Sequence, residues 1–200
     1  MGGPDRLRDY HGKRDFGRTG EPRGGGRETE AAPRFVVQIH DARRMHFDFR
    51  LQVGDVLKSW SVPKGPSADP HDKRLAVPTE DHPLEYEEFE GVIPRGEYGG
   101  GTVIVWDHGT YEPLSHDRWG HVVDFARSLE RGHATFRLHG SKLRGAYALT
   151  RFRDGDDGEE AWLLVRAAKG GSGGRGAPEP RRARSSRTGR TLAQVAREDG

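Results

Sequence analysis

FVVQIHDARRMHFDFRL, running from Phe35 to Leu51, decides how this chain folds. Successive side chains of an extended strand alternate between faces, so His46, Asp48 and Arg50 point one way while Met45, Phe47, Phe49 and Leu51 point the other. The run before it alternates in the same manner, with Phe35, Val37 and Ile39 on one side and Val36, Gln38 and His40 on the other. The Asp41-Ala42-Arg43-Arg44 break between the runs is short enough for a hairpin, which predicts that His40 lies beside His46 on neighbouring antiparallel strands. One face is apolar, and the opposite face gathers two imidazoles, a carboxylate and a guanidinium.

That mixed nitrogen and oxygen set suits a borderline divalent cation such as Mn²⁺, Fe²⁺ or Zn²⁺ better than Ca²⁺ or Mg²⁺, which prefer all-oxygen shells. Arg50 is no ligand. Its permanent charge and planar fork match phosphate oxygens, so its place beside a metal points to a phosphorylated substrate. A His, an Asp and an Arg on the polar face of a strand are more often simply solvated, and the triplet alone does not define a site.

Two hundred residues fit one domain with tails. The apolar fraction is 32%, too low to fill the whole length with core, and the 29 Gly and 12 Pro gather towards the ends. The net charge of +2 is unevenly spread: +1 over residues 1–33, −4 over 34–168 and +5 over 169–200. Three segments follow: an N-terminal arm (1–33), a folded domain (34–168) and a flexible Gly/Ser/Arg-rich tail (169–200) that is too polar to order itself. Thr191 to Glu198 could add one or two amphipathic turns. Arg-rich tails bind nucleic acid through phosphate charge, or serve only solubility. Cysteine is absent, which excludes disulfides and thiolate metal sites. No apolar run approaches the roughly 20 residues of a membrane span, and the N-terminus has no signal-peptide core. The expected setting is the cytoplasm.

From residue 34 onward short strands are expected at 34–40, 45–52, 56–62, 74–80, 102–107, 134–139, 145–153 and 161–167, separated by Gly, Pro and Asp turns. Only residues 121–130 have helical spacing, closed by Gly132. The fold class is mainly β, a small antiparallel barrel or sandwich with one short helix and flexible terminal arms; closing a barrel removes exposed edges. Gly96 to Gly101 reads as a tight turn, since no Lys-Ser/Thr and helix follow it as in a phosphate loop. Trp60, Trp106, Trp119 and Trp162 read as core or turn packing more than as base-stacking platforms.

A second charged face has Arg74, Glu80 and His82 sharing one strand parity with Ala76 and Pro78. Lys64, just past a strand end, can project over the same place. The combined inventory fits phosphoryl chemistry: a metal, cations that neutralise the transition state, and His82 as a proton donor to the leaving oxygen. Pro83 biases His82 away from helical dihedrals. A structural His bonded to the backbone is the competing role.

At this point the sequence closely resembles the 3′-phosphoesterase module of bacterial ATP-dependent DNA ligase D and its free-standing relatives. The resemblance rests on Phe35–Leu51, on LKSWSVPKGPS (Leu57–Ser67), on Asp72–Tyr111, on GAYALTRF (Gly145–Phe152), and on Lys13-Arg14-Asp15-Phe16, Thr19 and Glu21-Pro22 in the arm. It implies a small β-barrel, Mn²⁺ dependence, and two activities in non-homologous end joining. A 3′-terminal ribonucleoside is removed to leave a 3′-phosphate, and the phosphate is then hydrolysed to a 3′-hydroxyl. Carried over by motif, His40, His46 and Asp48 are the metal ligands, and Arg50, Arg74 and His82 surround the scissile phosphate. Lys64, Gln38, Glu80 and Tyr86 support the site. Arg14, Asp15 and Glu21 resemble residues used mainly for phosphate removal, so the arm is expected to fold over the site. The implied substrate is a DNA primer–template 3′ end, acted on by a monomer associated with the nucleoid. No Lys-x-Asp-Gly nucleotidyltransferase motif or polymerase module is present, and the Met1 start with a closing tail suggests a stand-alone protein. A Ku-like end binder, a ligase and a polymerase would act in trans.

Two other classes fit part of the pattern. A non-haem iron oxygenase uses a His/His/Asp triad with open positions, although the surrounding cations then have little purpose. A catalytically inactive DNA-end binding module would hold the phosphate and release nothing.

Overall fold

The computed structural model describes residues 5–25, 32–167 and 176–200. Nine strands form one sheet: β1 (Arg34–Asp41), β2 (Met45–Val53), β3 (Val56–Val62), β4 (Arg74–Pro83), β5 (Gly91–Ile93), β6 (Gly101–Pro113), β7 (His133–Gly140), β8 (Arg144–Arg153) and β9 (Ala161–Arg166). Their order is β1-β2-β3-β4-β9-β8-β7-β6-β5, and a further pairing of β1 with β6 closes eight of them into an antiparallel barrel with β5 as an extra strand. The barrel expected from the sequence is therefore the architecture found. Closure leaves no open edge on β1, which pairs with β2 along one side and β6 along the other.

The inward set of β1 and β2 is the apolar one read from the sequence. Phe35, Val37, Ile39, Phe47, Phe49 and Leu51 are all buried in one cluster with Trp60, Ile104, Phe136, Leu138, Tyr147 and Leu149. Phe49 packs on Phe136 at 5.9 Å between ring centroids, and Phe136 stacks on Tyr147 at 6.4 Å. Trp106 and Trp162 are likewise buried, as expected of packing residues, whereas Trp119 is 67% exposed in a turn and departs from that expectation.

The outward faces of these strands are also covered. Residues 5–25 lie over them, with the short helix α1 (Arg8–Gly12) in their first half. A second small core joins Tyr10 to Val36, Leu57, Leu84, Tyr86 and Val105, with Phe16 and Phe89 against it. Leu84 and Tyr86 come from a 3₁₀ turn, Leu84–Glu88, that follows β4.

Three expectations need correction. The helix over 121–130 is shorter, α2 (Phe125–Glu130), because His116 bridges to Val122 in an isolated β-pairing and leaves Val122 exposed. Strand β4 does not keep one parity. Its pairing with β3 runs Ser59↔Thr79 and then Leu57↔His82, so three steps on β4 span two on β3. That extra residue turns His82 to the outer face while Ala76 stays in the barrel core. The third concerns the tail. From residue 176 the chain is packed against the barrel and is no loose appendage: Ala183, Ser185, Leu192 and Val195 are buried, and the Ser186 amide donates to the Val105 carbonyl at 2.8 Å. Helix α3 (Leu192–Asp199) opens with a Thr191/Gln194 capping box and lies on β5 and β6. The segment's average composition is polar, yet a few small and apolar side chains at the right spacing suffice to seat it. Residues 169–175 of the expected tail lie outside the described residues.

Candidate metal centre

The hairpin register is the one the sequence requires: His40↔His46, Gln38↔Asp48 and Val36↔Arg50 are direct partners. The two imidazole centroids stand 4.9 Å apart. His40 Nδ1 is 3.5 Å from one oxygen of Asp48, and His46 Nε2 is 3.3 Å from the other. One ligand atom from each of the three lies within 4.8 Å of the others.

Each ring is held by its second nitrogen. His40 Nε2 sits 2.6 Å from the Gly99 carbonyl and His46 Nδ1 2.9 Å from the Arg44 carbonyl. A carbonyl only accepts, so those nitrogens carry protons, and the opposite nitrogens face Asp48, where each can give the carboxylate a hydrogen bond or offer a cation a lone pair, the arrangement of metal-ligating histidines. The residues therefore fit a bound divalent cation, and the donor set favours one of the transition metals. Gly99 belongs to the tight turn between β5 and β6 and takes a positive φ of 73°. A side chain there would be strained in that conformation, and its Cβ would press on His40 at 3.4 Å. Sequence reasoning placed the turn but missed its carbonyl; the cluster of glycines was the only signal.

Behind the cluster lies a wall of cations. Arg50 approaches Asp48 at 3.4 Å, donates through Nε to Gln38 at 2.8 Å, and lies over the Tyr86 ring. Gln38 in turn donates to the Tyr86 and Phe89 carbonyls, which locks the guanidinium in place. From the arm, Arg14 lies over Tyr10 and pairs with Glu21 at 2.8 Å and with Glu80 at 3.2 Å. Glu21 also accepts from the Tyr86 hydroxyl at 2.8 Å. His82 sits between the two arginines, 3.1 Å from Arg50 and 3.4 Å from Arg14, with Nδ1 2.8 Å from the Glu80 carbonyl.

Electrostatics follow from these contacts. Burial would raise the Asp48 carboxyl, but the Arg50 charge and the hydrogen bonds from His40 and His46 overcome it and hold the group well below the usual carboxylate range. Burial, reinforced by Arg50 and Arg14, pushes His82 well below the ordinary imidazole value. Burial also lifts the Tyr86 hydroxyl, with Glu21 beside it, so Tyr86 is a neutral donor.

His40, His46, Asp48, Arg50, His82, Glu80 and Arg14 line one cavity of about 270 Å³, together with Ser61, Thr79, Ile93 and Tyr98, which sequence reasoning did not single out. Gln38, Tyr86 and Glu21 stand directly behind that lining. Three expected residues lie apart from it. Asp15 is exposed and accepts from the Gly17 amide in its own turn. Lys64 is exposed in the turn after β3. Arg74, at the start of β4, pairs with Asp72 at 3.3 Å.

Fold and site together define a β-barrel domain with a His/His/Asp cluster able to hold a metal ion, backed by phosphate-complementary cations. The chain belongs to the DNA ligase D 3′-phosphoesterase domain family, whose profile matches residues 38–151. It is 48% identical over 166 residues to the multifunctional non-homologous end joining protein LigD of Pseudomonas aeruginosa, covering 82% of this chain and 19% of that protein. The corresponding protein of Mycobacterium tuberculosis is 45% identical over 163 residues, covering 81% of this chain and 20% of the relative. That of Mycolicibacterium smegmatis is 42% identical over 146 residues, with 72% and 19% covered. The chain thus spans about a fifth of the length of the curated relatives it matches.

Proposed function

We propose that this protein is a Mn²⁺-dependent phosphoesterase that processes DNA 3′ ends in non-homologous end joining. It removes a 3′-terminal ribonucleoside to leave a 3′-phosphate, then hydrolyses that phosphate to a 3′-hydroxyl. The observation that carries the reading is the meeting of two tautomer-locked imidazoles and Asp48 with Arg50, Arg14 and His82 around one cavity. Family membership supports it, and the relatives' names supply the repair setting. A bound cation held by His40, His46 and Asp48 would polarise a phosphoryl oxygen and lower the pKa of water.

The chain's own groups do the rest. Arg50, immobilised by Gln38, offers a rigid fork to two phosphate oxygens, and Arg14 neutralises the further charge of a terminal monoester. His82 is neutral in the substrate-free protein because burial, reinforced by the Arg50 and Arg14 charges, opposes its protonation. A phosphate dianion between the arginines offsets that repulsion, so His82 gains its proton together with the substrate and can give it to the leaving oxygen. Glu80 positions Arg14 and, through its carbonyl, His82. A DNA 3′ end is the partner; a Ku-like protein, a ligase and a polymerase in trans, a monomeric state and a cytoplasmic, nucleoid-associated setting belong to the same proposal. Among the described residues no helix is long and apolar enough to cross a membrane.

The test is an end-labelled primer–template bearing one terminal ribonucleotide, incubated with Mn²⁺ and sampled over time. The expected order is a shortened 3′-phosphate product followed by a 3′-hydroxyl product. Binding without product would make the protein an end binder, and turnover requiring O₂ and iron would make it an oxygenase.

A further inference from the structure

A second groove, of about 610 Å³, opens beside the metal cavity and shares Ala42 and Ile93 with it. Its cations are Arg43, at the tip of the β1–β2 hairpin, and Arg95, in the β5–β6 loop. Both side chains are exposed and, among the described residues, neither has an ion pair or a side-chain hydrogen bond. The groove's two acids are already matched, Asp41 by Arg181 at 3.5 Å and Glu97 by Arg18 at 3.0 Å. The uncompensated charge of the groove is therefore positive.

The C-terminal segment adds to it. Passing Gly65, where Ala177 lies close to the glycine, it reaches Asp41 through Arg181 and then β6 through Ser186. Arg181 is thereby carried, exposed, to the rim of the groove. Residues 34–168 are net negative, at −4, and would repel a polyanion; residues 169–200 carry +5. Packing the segment against the hairpin tip places cations next to the metal cavity on an otherwise acidic body.

We propose that this groove, walled by the unpaired Arg43 and Arg95, with Arg181 matching Asp41 at its rim, seats the backbone phosphates of the DNA strand whose 3′ end enters the metal cavity. The inference rests on the phosphoesterase reading for its choice of polyanion. The groove supplies register without touching the bases, as phosphate-directed arginines do.

The test measures anisotropy of a labelled 3′-phosphate primer–template with the full chain in EDTA, across KCl concentrations from about 50 to about 300 mM, a range over which phosphate-directed binding weakens steeply. For Arg43→Ala/Arg95→Ala, the slope of log affinity against log salt should be shallower by about 1.8, or about 0.9 for each phosphate that is no longer neutralised. The control is Arg127→Ala/Arg137→Ala, exposed positions on α2 and β7, which should keep the parent slope. An unchanged slope in the first variant, an equal change in the control, or no binding by the parent chain overturns the groove. Phosphate release by the parent chain in Mn²⁺ is measured in parallel. A flattened slope without any phosphate release sustains the groove and removes the phosphoesterase reading; release with an unmoved slope does the reverse.

Discussion

Asp48 is enclosed yet ionised, and it is the anion shared by Arg50, His40 and His46. Replacing it removes the anionic member of the proposed ligand set and leaves Arg50 without this counter-charge. Asp48→Ala is expected to lower both ester cleavages by well over about 100-fold, the upper range for losing only an outer partner of a ligand. Retained cleavage by a monodisperse, folded variant would contradict the metal assignment. His82 makes a pH prediction. Its pKa is depressed, so between the ordinary value of 6.5 and its lower folded value the unfolded chain binds a proton that the folded chain excludes. Stability therefore falls on acidification below about pH 6.5, by up to about 1.4 kcal/mol per pH unit, and is unaffected above it. His46 is shifted upward, because its bond to Asp48 outweighs burial, and acts with the opposite sign. Comparison with His82→Gln isolates the contribution: urea unfolding in EDTA, at about pH 7.5 and about pH 5.5 on either side of the ordinary imidazole value, should show a smaller acid loss in the variant, and equal losses would refute it. The grouping of His40, His46 and Asp48 was legible because strand parity and a short hairpin turn fix their directions. The tautomer locks were not, since both use backbone carbonyls that no residue type announces.

At the scale of elements, alternation read β1 and β2 correctly over their whole length, but misread β4, where a bulge inserts a step between Thr79 and His82. Period-two reasoning has no means of seeing a bulge, which is why Arg74 and His82 looked like face-mates. The N-terminal arm was legible only through family resemblance; its composition hides Tyr10, which is fully buried and whose hydroxyl donates to the Pro22 carbonyl at 2.6 Å. Arg14 reaches the cavity from this arm, and a terminal phosphate carries one more negative charge than a diester. Arg14→Ala should accordingly reduce phosphate removal about 10-fold or more beyond its effect on ribonucleoside removal, the scale of one charge-assisted hydrogen bond. Both rates come from the same primer–template series, with thermal unfolding run alongside; equal losses would deny the arm a selective role.

For the whole molecule, barrel class and approximate strand number were accessible from turn punctuation, whereas the seating of the C-terminal segment was not. Its glycines, serines and arginines outweigh Ala183, Leu192 and Val195 in any average, yet these three join the main core. The polar groups are also engaged: Arg190 meets Glu90, Glu198 and Asp199, and the Arg184 carbonyl accepts from Lys142 at 2.5 Å. Leu192→Ala should destabilise the fold by about 2–5 kcal/mol, as for other buried leucines. A change below about 0.5 kcal/mol in chemical denaturation, typical of surface substitutions, would return the segment to the status of a loose appendage. The outward placement of the metal cluster on β1 and β2 has its own consequence. Along each of these strands one set of alternate positions packs the bore and the other supplies the candidate site, so adaptation can proceed on two nearly separate tracks. Inward residues can drift with the demands of stability, and His40, His46, Asp48 and Arg50 with whatever the cavity must hold, with little constraint of either history on the other.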